Sequence, residues 1–162
     1  MRAGGRIEAI FVTDGAGQPM RAVEAAEALA GQGLAGDRYA LRTGFYSHKV
    51  GPDRHLTLLA AEQLEELAAE GVHFAPGEHR RNIVTRGLDV DGLVARTFFV
   101  GDVELRGVRP CPPCVHLDAV TGRPGLREAI GLHRGGLRTE VVRGGSLRIG
   151  DAIGILEVAE SA

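Results

Sequence analysis

Short β-rich runs separated by glycine are the feature that most restricts the folds open to this chain. A strand–Gly–Asp–strand unit occurs twice, as "FVGDVEL" over 99–105 and "RIGDAIG" over 148–154. Gly101-Asp102 and Gly150-Asp151 each join two apolar, β-branched runs, the pattern of a tight hairpin. The 24 glycines are spread throughout the 162 residues, which favours many turns and short strands. Further strands are predicted in "GRIEAIFVT", "GDRYALRT", "RHLTLL", Asn82 to Thr85 and "RTEVVRGGSLRIGDAIGIL". Helices are expected in "RAVEAAEALAGQG", in "AAEQLEELAAEG" with Leu64 and Leu67 at i, i+3, and in "RPGLREAIG" with Pro124 near its first turn. The run "CVHLDAV" does not read as an amphipathic helix. About eight strands and three short helices without regular alternation argue against a doubly wound parallel sheet. The expected architecture is mainly β: a closed, mostly antiparallel barrel with helical insertions. Residues 1–162 are read as a single domain, long enough to bury a core without disulfides.

Net charge is -2 and the pI about 6.3, so no nucleic-acid partner is expected. No apolar run reaches the ~18 residues of a membrane span, and the N-terminus does not resemble a signal peptide. With only two cysteines the chain is not a disulfide scaffold, and the expected localisation is cytoplasmic. Lys49 is the only lysine against eighteen arginines. Genome composition accounts for such a bias, yet it has a chemical consequence. Arginine suits forked contacts to phosphate or carboxylate and cannot form a Schiff base. A pyridoxal enzyme would have to use Lys49, in the loop-like "FYSHKVGP".

Both cysteines lie in "RPCPPCVHLDAVTG". Zinc would draw on Cys111, Cys114, His116 and a fourth ligand such as His133, but no second Cys-x2-Cys supports it. Thioredoxin-like exchange needs the pair at a helix N-terminus, which this local sequence does not predict. Two structural cysteines, or one accessible thiolate acting as ligand or acceptor, stay open. In "EHRRNIV", two arginines followed by Asn82 could face a phosphate or polar ring, or form a solvated loop leading into a strand. "GLAGDRYA" offers a turn with an Asp37-Arg38 pair. The glycines of "HRGGLRTEVVRGG" match neither phosphate-loop nor dinucleotide patterns.

Taken in order, "GLAGDRYA", "LTLLAAEQLEEL", "RRNIVTRGLDVDGLVARTFFVGDVELRGVRPCPPC" and "HRGGLRTEVVRGGSLRIGDAI" resemble the MOSC domain, named after the C-terminal part of molybdenum cofactor sulfurases. The resemblance is strongest over residues 7–155. It implies a β-barrel and a pyranopterin molybdenum cofactor. In the amidoxime-reducing and hydroxylaminopurine-reducing members the domain holds molybdenum and reduces N-hydroxylated compounds. In sulfurases it sits beside a pyridoxal-dependent desulfurase and relays sulfur.

Residue by residue, the resemblance places the metal-ligating cysteine at Cys114, with Cys111 as neighbour. It places Arg80 near the cofactor phosphate, Asn82 near the metal end, and Arg38 as a second anion contact. Thr13 and Asp14 fall where amidoxime-reducing members carry a phosphate-binding Lys-Ser, and Asp14 would repel a phosphate. The expectation is a small oxidoreductase with Cys114 as molybdenum ligand, an N-hydroxylated substrate and a separate electron-transfer protein. A sulfur-carrier or cofactor-delivery module with a Cys114 persulfide, fed by a sulfur donor, is the alternative; pyridoxal phosphate would then come only through a partner desulfurase. A zinc-stabilised binding domain is the third reading.

Overall fold

The computed structural model describes residues 2–157 apart from Tyr46, His48, Lys49, Val50, Cys114 and Leu132; the side chain of Val115 is also outside the description. Seven strands close a barrel in the order β11 (Ala152–Ile155), β7 (Thr97–Val100), β8 (Val103–Pro110), β9 (Leu137–Arg143), β5 (Leu56–Ala60), β6 (Ile83–Arg86), β1 (Arg2–Val12), and β1 pairs back onto β11. All neighbours in it are antiparallel except β5 and β6. The mainly β barrel expected from the sequence is therefore what the chain forms. β2 (Arg21–Val23) adds to the outer half of β1, and β3 (Ala25–Leu29), β4 (Gly33–Leu34) and β10 (Gly145–Arg148) make a small second sheet.

The core follows the pleat. Ile7, Ile10, Leu58, Ile83, Phe98, Leu105, Leu137 and Ile153 are all almost fully buried. Fully burying each such side chain contributes about 1.5–3 kcal/mol. β1 can take partners on both sides over its length because it breaks register between Ala3 and Arg6. Gly5 sits there at φ +101°, and a Cβ would come within 2.2 Å of the Arg86 carbonyl. Only glycine permits that approach.

Four local expectations fail. Gly150-Asp151 does not close a hairpin: β10 pairs with β3 and β11 with β7 and β1, so this turn carries the chain from one sheet to the other. The Ala/Glu-rich "RAVEAAEALAGQG" is strand, not helix. Its inward positions, Ala26 and Ala28, recur every two residues and pack on β10 through the Leu147–Ala26 register. Helix propensity yields to that pairing. "GDRYALRT" is not strand but the turn-length helix α1 (Arg38–Leu41), capped by the Asp37 carboxylate accepting from the Tyr39 N–H at 3.2 Å. The Asp N-cap was the missed signal. "CVHLDAVT" contains the helix α3 (Val115–Thr121), stopped at Gly122. The expected helices α2 (Ala61–Ala69) and α4 (Leu126–Ile130) form, with Pro124 just before the Gly125 cap of α4. Leu67 of α2, Leu117 of α3, and Leu126 and Ile130 of α4 bury one another in a satellite core outside the barrel. Among the described residues no helix is long and apolar enough to cross a membrane.

Candidate functional site

The turn before β6 and the start of α1 bring Arg38 and Arg80 together, although 42 residues separate them. Arg80 adopts φ +68°, held by its N–H donating to the Gly77 carbonyl at 3.0 Å. From α1, Arg38 donates through Nη2 to the Arg80 carbonyl at 3.0 Å and through Nη1 to Asp37 Oδ1 at 3.1 Å. Its guanidinium also lies 4.4 Å from the Tyr39 ring centroid. Asp37 is wholly buried and also accepts from the Thr13 N–H. Arg80 Nη1 donates to the Gln18 carbonyl, but its Nη2 is buried with no hydrogen-bond partner. A buried guanidinium N–H without an acceptor costs about 1–3 kcal/mol or more, so this atom is set for a group that arrives from outside.

Arg81 faces the other wall. Its Nε donates to the Gly135 carbonyl at 2.6 Å and its Nη2 to the Cys111 carbonyl at 3.3 Å. The Cys111 N–H donates to the Gly136 carbonyl at 2.7 Å. At Gly135 an added Cβ would lie 2.1 Å from the Cys111 carbonyl oxygen, so glycine there lets the two segments touch. Cys111 is a buried free thiol. With Pro112, His116 and Leu117 it lines a cavity of about 40 Å³ shared with Arg38, Tyr39, Phe45, Arg80, Arg81 and Arg138. The His116 ring stacks on Phe45 at 4.1 Å and 12°. Cys114, the expected metal ligand, lies outside the described residues; its sequence neighbours Cys111 and His116 are at this cavity.

Four guanidiniums and no carboxylate line the described walls. The field is visible in the titration of its members. Burial, then the Arg38 charge, pushes Arg80 down to about 10. Burial and the charges of Arg80 and Arg38 lower His116. His79, behind Arg81, is pushed to about 3 by burial and by Arg81, and its Nδ1 accepts the Arg81 N–H at 3.0 Å. At neutral pH both imidazoles are uncharged and the arginines remain cations. An oxyanion of phosphate size matches both the charge and the dimensions.

The expected residues do not all converge. Arg38 and Arg80 meet at the cavity, whereas Asn82 does not line it. Asn82 is fully buried one position past Arg81: Oδ1 accepts from the Thr57 N–H at 3.1 Å and hydroxyl at 3.3 Å, and Nδ2 donates to the Phe11 carbonyl at 3.1 Å. Those bonds tie β5, β6 and β1 together. Asp14 also stays away: it is exposed, with its carbonyl accepting from the Thr43 hydroxyl, while Thr13 is buried. Among the described residues no three His, Cys, Asp or Glu side chains gather to hold a metal. Sequence reasoning missed Tyr39 and Arg138, and gave Arg81 no role of its own. Arg81 was legible as half of an Arg-Arg pair, but Arg138 sits in an ordinary strand with nothing beside it to mark it.

Comparison with known proteins agrees with this architecture. The chain resembles the YuaD protein from Bacillus subtilis at TM-score 0.76, 19% identity and 96% coverage of both chains. It resembles YiiM from Escherichia coli at TM-score 0.69 and 19% identity, covering 96% of this chain and 72% of that one. For YiiM from Geobacillus stearothermophilus the values are 0.66, 16%, 96% and 75%. At such identities the likeness speaks to the fold. No curated protein sequence matches the chain. The model of the MOSC domain matches residues 46–154, two thirds of the chain and the lining of the cationic cavity apart from Arg38, Tyr39 and Phe45. The chain belongs to the MOSC domain family.

Proposed function

We propose that the cationic cavity binds the phosphate end of a pyranopterin molybdenum cofactor and that the protein is a small oxidoreductase of N-hydroxylated compounds. One observation carries the reading: Arg80 presents a buried, unpartnered Nη2 in a cavity walled by three further arginines. Arg38 and Arg80 would neutralise the phosphate, and its arrival would offset the burial and the Arg38 charge that lower Arg80. Arg81 donates from Nε and Nη2 to main-chain carbonyls, so it positions the Cys111 segment and adds its charge to the site. Cys114 would be the thiolate ligand, a soft donor suited to the metal. Asn82, sealed against Thr57 and Phe11, would act by holding the β6 backbone that carries Arg80 and Arg81. When bound, the cofactor supplies oxygen-atom transfer at an N–O bond. Electrons would come from a separate protein, since the sequence has no flavin, haem or iron–sulfur motif.

Elemental analysis of protein made in a host that produces the cofactor tests this, with Cys114→Ala alongside. Near-stoichiometric molybdenum, lost in the variant, is expected. No molybdenum in adequately supplied protein would sink the reading, and a mass gain of one sulfur on Cys114 would then favour a sulfur carrier. Zinc bound in its place would favour the third reading.

A further inference from the structure

We infer that the site has a second anion-binding point, centred on Arg138, which selects substrates carrying an acidic group. Naming that anion as part of the substrate rests on the cofactor reading above; the binding point itself does not.

The second point shares the cavity wall at Arg138 and draws its other residues from elsewhere. Arg109 of β8 and Arg138 of β9 are register partners, beside a break in register between Gly107 and Arg109. Like charges opposite each other on neighbouring strands destabilise a sheet unless something neutralises them. Asp53, in the turn before β5, does so only in part. Its Oδ2 accepts from Arg109 Nε at 2.9 Å and its Oδ1 lies 3.7 Å from Arg54 Nε. To Arg138 it offers only its main-chain carbonyl, at 3.4 Å from Nη1. Arg109 and Arg54 thus stand at the Asp53 carboxylate, and Arg138 bonds only its main chain. Arg138 is more than nine-tenths buried and lines the cavity, yet its Nε has no hydrogen-bond partner.

A related arrangement occurs at Asp37, which pairs with Arg38, whose guanidinium in turn holds the Arg80 carbonyl, with Arg80 Nη2 left over. The chain therefore carries two arginine clusters, one on each aspartate, with Arg80 Nη2 in the first and Arg138 Nε in the second left unpaired. A single phosphate satisfies one of them. Tyr39 stands between the two, lining both the small cavity and a neighbouring one of about 400 Å³. Arg42, Arg54, His55, Gln32 and Ser47 line that larger space, again with no carboxylate among the described residues. His55 is buried there; its Nδ1 accepts the Val141 N–H at 3.0 Å, so in the neutral ring Nε2 carries the proton and is a donor. A volume of that size holds a small organic molecule, and its polar wall presents cations and donors. A substrate whose body fills it, with a carboxylate or phosphate reaching Arg54 and Arg138, satisfies the second cluster.

The test is side-chain NMR of arginine Nε–H signals in the cofactor-free full chain. It is titrated with inorganic phosphate, with benzamidoxime bearing a 4-carboxylate, and with neutral benzamidoxime. The Arg138 signal should move with phosphate and with the acid. The acid should bind at least about tenfold more tightly than its neutral parent, the worth of one charge-assisted hydrogen bond. Arg138→Gln should remove that preference, and Arg138→Lys, which keeps the charge, should restore part of it in a chain with an unchanged amide spectrum. An Arg138 signal silent to phosphate and acid, or equal affinity for the two amidoximes, would overturn the inference whatever Arg80 does. A silent Arg80 beside a responsive Arg138 would count against the cofactor reading instead and leave the second anion point standing.

Discussion

Arg38 donates a 3.0 Å hydrogen bond from its guanidinium to the main-chain carbonyl of Arg80, so one cation fixes the backbone that aims the other. That bond acts with the Arg80 N–H to the Gly77 carbonyl and the Arg80 Nη1 to the Gln18 carbonyl to hold the left-handed Arg80 against the charge it faces. The pairing is unfavourable in the empty site and becomes favourable once an anion sits between the two side chains.

Inorganic phosphate should therefore stabilise the protein through Arg80. Ligand at ~100 times its Kd adds about 2.7 kcal/mol, which for a chain of this length raises Tm by roughly 5–10 °C. Arg80→Gln should lose most of that shift. A scanning-calorimetry series in phosphate against matched chloride checks it; equal shifts in both proteins would remove Arg80 from the anion site.

Gly135→Ala should dislodge the Cys111 segment. The new Cβ has no room beside the Cys111 carbonyl, so the Arg81 Nη2 bond must lengthen or break. A loss of at least about 2 kcal/mol in urea unfolding is expected. Faster reaction of Cys111 with a thiol reagent should accompany it, and an unchanged thiol rate would show that the contact does not shield the cysteine.

Asn82→Ala should act on the barrel itself. It leaves the Thr57 N–H and the Phe11 carbonyl without their partner, a cost of about 2–4 kcal/mol. Equilibrium unfolding in urea measures this, and a change under 1 kcal/mol would mean that water replaces the amide and that its role lies elsewhere.

His79 should make the fold acid-sensitive. Its pKa in the folded chain, about 3, lies below its unfolded value near 6.5, so it is neutral in the native state and takes up a proton on unfolding. Its contribution is full above about pH 6.5 and is lost as pH falls towards 3, at about 1.4 kcal/mol per unit. His55, also lowered by burial, adds to the same slope. His79→Asn, which can keep an acceptor for the Arg81 N–H, should flatten the fall in urea midpoint between about pH 6.5 and 5. A slope identical to the wild type would place the acid sensitivity on other groups.

The strands were legible because β-branched runs are local evidence, and Gly101-Asp102 carries the β7–β8 pairing with it; Gly150-Asp151 reads the same in sequence, yet it passes the chain between two sheets. Ala25–Leu29 was not legible, since alanine and glutamate favour helix and only the partner strand β10 converts them to strand. α3 was hidden in the same way, its buried Leu117 having meaning only beside Leu67, Leu126 and Ile130. At the site, Arg38 and Arg80 were reached through their resemblance to known members. Arg138 was not, because its importance comes from standing opposite Arg109, a relation that exists only once β8 and β9 pair.

The reliance on arginine fixes how this site can respond to its surroundings. Around the cavity the cations are guanidiniums, with Arg80 lowered to about 10 by burial and the Arg38 charge, and burial lowers the His79 and His116 imidazoles as well. Acidifying or alkalinising the cell by a unit leaves this receptor with the same potential. A phosphate ester, whose second proton leaves near pH 6, does change charge there. Whatever pH dependence binding shows then belongs to the guest, and the protein behaves as a fixed electrode against which the guest titrates.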